Sequence, residues 1–135
     1  MENTFAIIKP DAVKAGYSGK IIDRIEHEGF TILGMKKVQL TKAQVEHFYA
    51  IHKARSFFGE MVDFMLSGPV IIMVLQRENA IKAWRDLMGA TDPAKAEPNT
   101  LRKLYGANVG SNATHGSDAP ETAREEVAYF FPELA

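Results

Sequence analysis

The chain has 135 residues, 46% hydrophobic and 24% charged, with 16 basic against 17 acidic side chains and a net charge of −1. That is the size and balance of a single soluble domain spanning residues 1–135, and the lack of a basic excess argues against a nucleic-acid partner. The chain has no cysteine, which excludes disulfides, thiolate zinc sites and thiol nucleophiles; with no signal peptide and no long apolar run, a cytoplasmic location away from membranes is expected.

Residues 4–8 form a short apolar run of strand character, ending at the turn signal Lys9-Pro10-Asp11. A helix is predicted over about 19–28, with Ile21, Ile22 and Ile25 on one face, Ser18 before it and Gly29 as its stop. Residues 30–40 read as a second strand with Ile32, Val38 and Leu40 as its apolar positions. Thr41-Lys42-Ala43-Gln44 is a capping box. It opens a helix in which Val45, Phe48, Tyr49 and His52 recur at helical spacing. Met61, Phe64 and Met65 mark another helix that ends at Ser67-Gly68-Pro69.

Residues 70–75 are apolar at every position, the pattern of a central strand covered on both faces. Residues 79–88 read as a helix with Ile81, Trp84 and Met88 facing the core and Gly89 after it. From Gly89 to His115 the chain is largely irregular, broken by one helical turn near 101–105. Insertions of that length in small domains are usually functional. A short strand and a last helix after Asp118 complete the order. This succession fits an α+β fold: a split βαβ, ferredoxin-like sandwich with a four-stranded antiparallel sheet and helices on one face.

The most informative segment is Asn112-Ala113-Thr114-His115-Gly116-Ser117-Asp118. Asp118 is an N-cap candidate, Pro120 falls in the first turn and Glu121 at the third helical position. A helix start offers free N–H groups and partial positive charge, which favour an anion such as phosphate. A histidine held there suits a nucleophile toward phosphorus or a general base, and it also fits an ordinary surface residue of a polar loop. His27, His47 and His52 lie on helix faces without metal spacing and read as structural or solvent-facing. Gly16-Tyr17-Ser18-Gly19-Lys20 lacks the spacing of a phosphate loop, and there is no dinucleotide fingerprint.

Several cations stand at element ends: Lys9 after the first strand, Arg55 in a loop, Arg85 on a helix and Arg102 in the long irregular stretch. Each alone is a solvated charge; together they are what phosphoryl transfer requires, positioning and charge neutralisation. Glu126 lies about two helical turns beyond Asp118. It is either an exposed helix residue or a partner that fixes the His115 tautomer. Phe57 and Phe58 follow Arg55-Ser56; one can stack on a nucleobase while the other fills the core.

The segment around His115 is similar to the active-site signature of nucleoside diphosphate kinases. The likeness extends through Ile7-Ile8-Lys9-Pro10-Asp11, Arg55-Ser56-Phe57-Phe58, Ser67-Gly68-Pro69-Val70 and Tyr129-Phe130-Phe131. The resemblance implies ping-pong transfer of a γ-phosphate from a nucleoside triphosphate, typically ATP, to a nucleoside diphosphate through a phosphohistidine on His115. It gives Glu126 and Ser117 the role of orienting the ring, Arg85 and Thr91 contacts to the β-phosphate, and Arg102 one to the γ-phosphate. Lys9 and Asn112 match the residues that hold the sugar 3′-hydroxyl, and Tyr49 matches the tyrosine behind the nucleophile. Phe57 and Val109 match the two sides of the base slot, which offers stacking but no base-edge readers, so broad base acceptance follows. Mg²⁺ would bridge the phosphates and reach the protein through water near Asp118. The family's members are homo-tetramers or homo-hexamers. Two departures stand out: Asn99 where many relatives carry Gly, and a C-terminus that stops soon after Phe131-Pro132-Glu133. A nucleotide-binding adaptor without turnover is the alternative, and a ferredoxin-like RNA-binding module is disfavoured because the aromatic sheet signature and basic surface are missing.

Overall fold

The computed structural model describes Met1–Ala135. The strands are β1 (Glu2–Ile8), β2 (Thr31–Val38), β3 (Val70–Arg77) and β4 (Thr114–Gly116). They form one sheet in the order β2-β3-β1-β4, every neighbouring pair antiparallel. The helices are α1 (Pro10–Lys14), α2 (Ser18–His27), α3 (Lys42–Phe48), α4 (Phe58–Met65), α5 (Ala80–Met88), α6 (Leu101–Tyr105) and α7 (Pro120–Phe130). This is the expected four-stranded ferredoxin-like arrangement. No helix is long and apolar enough to cross a membrane.

The helices cover both faces of the sheet, not one. The side chains of a strand alternate between faces, and residues 5–8 and 70–75 of the two central strands are apolar throughout. Ala6, Ile8, Met73 and Leu75 therefore point to one core, with Ile21 and Ile25 of α2 and Trp84 and Met88 of α5. Phe5, Ile7, Ile72 and Val74 point to the other, with Val45 of α3, Val62 of α4 and Val127 of α7. An unbroken apolar strand needs two covers, which is why the single-faced expectation fails.

Local signals survive in most places. The Thr41 capping box forms in full: Gln44 N–H donates to Thr41 Oγ1 at 3.1 Å, and Thr41 N–H donates to Gln44 Oε1 at 2.9 Å. The helix it opens nevertheless stops at Phe48, and a separate 3₁₀ turn, Ala50–His52, carries His52. The start of α5 lacks a local side-chain cap; the Glu2 carboxylate, from β1, accepts the Ile81 N–H at 2.9 Å instead. Asp118 does not cap α7 either. The N-cap is Ala119 in extended backbone, Pro120 is the first helical residue, and Asp118 stays exposed.

Asn99 adopts φ 69°, the left-handed conformation that glycine favours and asparagine tolerates. Asparagine at this position therefore suits the backbone that the segment adopts.

Candidate functional site

His115 is the middle residue of β4, paired with Ile7 of β1 at the sheet edge. Strand pairing fixes its backbone, and Trp84 Nε1 adds a hydrogen bond to its carbonyl oxygen at 3.1 Å. The indole lies so close that a Cβ on Gly116 would collide with Trp84 Cδ1, so only glycine fits after the histidine. The imidazole keeps 23% of its side-chain surface open, with the Phe48 ring packed edge-on at 4.8 Å.

The two ring nitrogens see different surroundings. Nε2 is buried and lies 3.5 Å from Glu126 Oε2, a charge contact too loose for an aligned hydrogen bond. Nδ1 makes no hydrogen bond to the protein and is not sealed in the way Nε2 is. Glu126 is itself held: Ser117 Oγ, fully buried, donates to Glu126 Oε1 at 2.7 Å and accepts the Phe5 N–H at 3.2 Å. A charge-assisted bond of this kind contributes about 1.5–3 kcal/mol. Burial pushes the His115 pKa below its ordinary value, opposed by Glu126 and assisted by the positive charges of Lys9 and Arg102. The ring is accordingly neutral at neutral pH, the form that attacks phosphorus. Burial, with the Glu126 charge, also raises the Tyr49 hydroxyl pKa, so that phenol stays protonated.

A second set of groups joins β1 to the loop before β4. Lys9 Nζ donates to Asn112 Oδ1 at 2.8 Å, and Asn112 Nδ2 donates to the Thr91 carbonyl at 3.0 Å. Burial, then the Arg102 charge, lowers the Lys9 pKa to about 8, with Asp11 opposing. Arg102 on α6 is buried, and its guanidinium donates to the carbonyls of Gly89 and Thr114, each at 3.0 Å. Its Nε is buried without a partner. Burial, with Arg85 beside it, takes its pKa to about 10, so it remains charged at neutral pH.

These elements enclose a cleft of about 260 Å³ whose wall includes Tyr49, Arg85, Thr91, Arg102, His115, Asp118 and Glu126. Lys9 and Asn112 stand just behind it, and Ser117 behind Glu126. Phe57 and Val109 do not line it: both are exposed, at 41% and 55%, and Phe57 reaches the cleft only through His52, ring centres 5.9 Å apart. Phe58 instead packs on the core, as expected of one of the two. Arg55 is exposed and lies outside the cleft wall. A larger cavity of about 630 Å³ lies elsewhere, between the chain ends, and gathers no comparable cluster of cations and histidine. Phe48, Ile51, His52 and Thr122 line the cleft without a role assigned from the sequence. His52 lines the wall with a buried, unpartnered Nδ1, and Phe48 packs on His115. Both look like core positions at helical spacing, and no signal in the sequence separates them from true core.

A neutral histidine beside a held carboxylate, with cations along the same wall, can accept and return a phosphoryl group. The family model for nucleoside diphosphate kinase matches residues 2–135. A nucleoside diphosphate kinase of Trichlorobacter lovleyi is 61% identical over 131 residues, 97% of this chain and 95% of the relative. The nucleoside diphosphate kinase of Aquifex aeolicus superposes with a TM-score of 0.95 at 44% identity, covering 98% of this chain and 96% of that one. The Halobacterium salinarum enzyme in complex with CDP gives 0.93 at 39% identity, covering 96% and 87%. With its fold, its sequence and its neighbours agreeing over nearly the whole length, this chain belongs to the nucleoside diphosphate kinase family, phosphotransferases that pass a phosphate from a nucleoside triphosphate to a nucleoside diphosphate.

Proposed function

We propose that His115 carries the phosphoryl group in a ping-pong exchange performed by residues 1–135 as one domain. The observation that carries this reading is the asymmetry of its imidazole: Nε2 is turned to Glu126 while Nδ1 is left without a protein partner in a cleft lined by cations. The Nδ1 lone pair attacks the γ-phosphorus, the bond to the β–γ bridging oxygen breaks, and the nucleoside diphosphate leaves with that electron pair. The Nε2 proton stays on the ring, and Glu126 stabilises the charge that develops there. The reverse step moves the group to a second nucleoside diphosphate.

Arg102 and Arg85 neutralise charge on the phosphates, with Arg102 nearer the transferred group and Arg85 and Thr91 at the β-phosphate. Lys9 and Asn112 hold the sugar 3′-hydroxyl, and Lys9 also faces the transferred phosphate. Tyr49 backs the nucleophile. Phe57 and Val109 grip the base from two sides, and their exposure suits a slot that closes only on a ligand. Base stacking of this kind is indifferent to base identity, and the Halobacterium salinarum relative in complex with CDP, a pyrimidine nucleotide, supports this reading.

Mg²⁺ is the cofactor that matches the donors. No three His, Asp or Glu side chains converge to cage a metal, and one exposed carboxylate, Asp118, faces the cleft. That suits an ion bound mainly by substrate phosphates and water. When bound it would neutralise phosphate charge. The setting proposed is a cytoplasmic homo-tetramer or homo-hexamer.

The test is direct. Incubation with γ-labelled ATP is expected to give an acid-labile, alkali-stable phosphoprotein that any nucleoside diphosphate discharges. Labelling and turnover by the His115→Ala variant would sink the mechanism.

A further inference from the structure

The residue two before the histidine is the most strained point near the site. Ala113 has φ 75°, a left-handed conformation that a residue with a Cβ rarely adopts. Thr114 N–H donates to the Asn112 carbonyl at 2.9 Å across it, which makes a γ-turn of the rare, strained positive-φ kind. Such a turn persists only where its surroundings hold it.

Two groups hold this one, Lys9 between β1 and α1 and Asp11 in the first turn of α1. Lys9 N–H donates to the Ala113 carbonyl at 2.8 Å, and the Ala113 N–H donates to Asp11 Oδ2 at 3.1 Å. The other Asp11 oxygen is buried with no partner. A half-satisfied buried carboxylate carries a desolvation cost, so a role in stability alone does not explain it. The turn is also a joint. On one side Asn112 bonds Lys9 and Thr91; on the other Thr114 is bonded by Arg102 and leads into His115.

We infer that Asp11 is a positioning residue, whose carboxylate clamps the strained turn at Ala113 and so sets how His115 meets the transferred phosphate and Asn112 the sugar hydroxyl. The inference rests on the reading that His115 is the phosphoryl carrier. Ala113 relaxes to negative φ without the clamp and carries β4 with it.

The experiment measures single-turnover phosphorylation by γ-labelled ATP alongside the dissociation constant of a nucleoside diphosphate. Asp11→Ala is expected to slow phosphorylation between about tenfold and about a hundredfold, as loss of control over a strained backbone implies, while shifting nucleotide affinity less than about threefold. Asp11→Asn, which keeps a side-chain oxygen to accept the Ala113 N–H, recovers most of the rate. Asp11→Ala/Ala113→Gly recovers part of it, because glycine takes positive φ without penalty. The double variant also serves if Asp11→Ala does not fold. Wild-type rates in Asp11→Ala overturn the inference. So does a loss that affinity shares equally and that neither second variant reverses. If the wild type takes label at a residue other than His115, the phosphohistidine reading falls and this inference with it; if it labels at His115 and Asp11→Ala matches it, only the clamp falls.

Discussion

The two walls of the cleft are built in opposite ways. On one, Arg102, Asn112, Ser117 and Glu126 are buried or nearly so, and each is bonded to backbone or to another side chain. On the other, Arg85 and Thr91, with Phe57 and Val109 beyond the wall, are exposed, and none of these side chains has a hydrogen-bonding partner in the protein. The first set is held by bonds within the fold; the second is held by none. Preorganised groups act mainly on the chemical step, and exposed ones on binding.

That contrast can be broken by mutation. Arg102→Ala has the largest expected effect, because it removes the charge proposed to meet the phosphate and strips bonds from the Gly89 and Thr114 carbonyls. Stability should fall by about 3 kcal/mol and kcat/KM by more than about a hundredfold, read by denaturant unfolding and steady-state kinetics. An Arg102→Ala variant as stable as the wild type would place Arg102 on the exposed wall in energetic terms.

Ser117→Ala comes next. It frees Glu126 from its hydroxyl and leaves the Phe5 N–H without its side-chain partner, with roughly tenfold to hundredfold lower kcat expected from the loss of one charge-assisted bond. Nucleotide KM should move little. A change in KM alone would separate Ser117 from the chemistry.

Arg85→Ala tests the open wall. Loss of an exposed arginine proposed to meet the β-phosphate should raise nucleotide KM by about tenfold without changing the unfolding midpoint. Phe57→Ala should weaken all nucleotides alike, by roughly 1–3 kcal/mol per stacked base; a loss confined to one base would mean that the slot reads identity.

The pH dependence sharpens the same comparison. His115 has a folded pKa below 6.5, so between that value and 6.5 the unfolded chain holds more protons than the native one. Stability present above pH 6.5 is lost as the pH falls through that window, and the loss should be absent in His115→Asn. Lys9, with its pKa lowered to about 8, should give kcat/KM an alkaline limb near there, and bound phosphate should move that limb upward in kcat. A wild type that gains stability relative to His115→Asn on acidification from neutral pH would refute the burial argument.

Much of this was legible in the residues. Short-range signals were honoured where a single local interaction decides: the Thr41 box, the turn of helix at Leu101–Tyr105, the unbroken apolar β3. Asp118 was misread because its spacing before Pro120 mimics a cap, whereas the extended Ala119 takes that place and leaves Asp118 facing the cleft. Glu126 was ambiguous for a similar reason. Its two candidate roles share one helical spacing, and only the return of α7 across β1 brings it to Ser117 and His115.

What the chain alone determined is the chemistry available: no thiol, one histidine in a signature segment, cations and aromatics at element ends, and strands apolar enough to require two covers. These follow from residue type and from interactions a few positions apart. Tertiary structure decided the rest. It placed His115 on an edge strand, set Ala113 in a left-handed turn, tied Lys9 to Asn112 and sealed one imidazole nitrogen but not the other. Those outcomes depend on pairings across about a hundred residues, such as Lys9 with Asn112 and Phe5 with Ser117. No local periodicity encodes them, because their energy exists only once the sheet has closed.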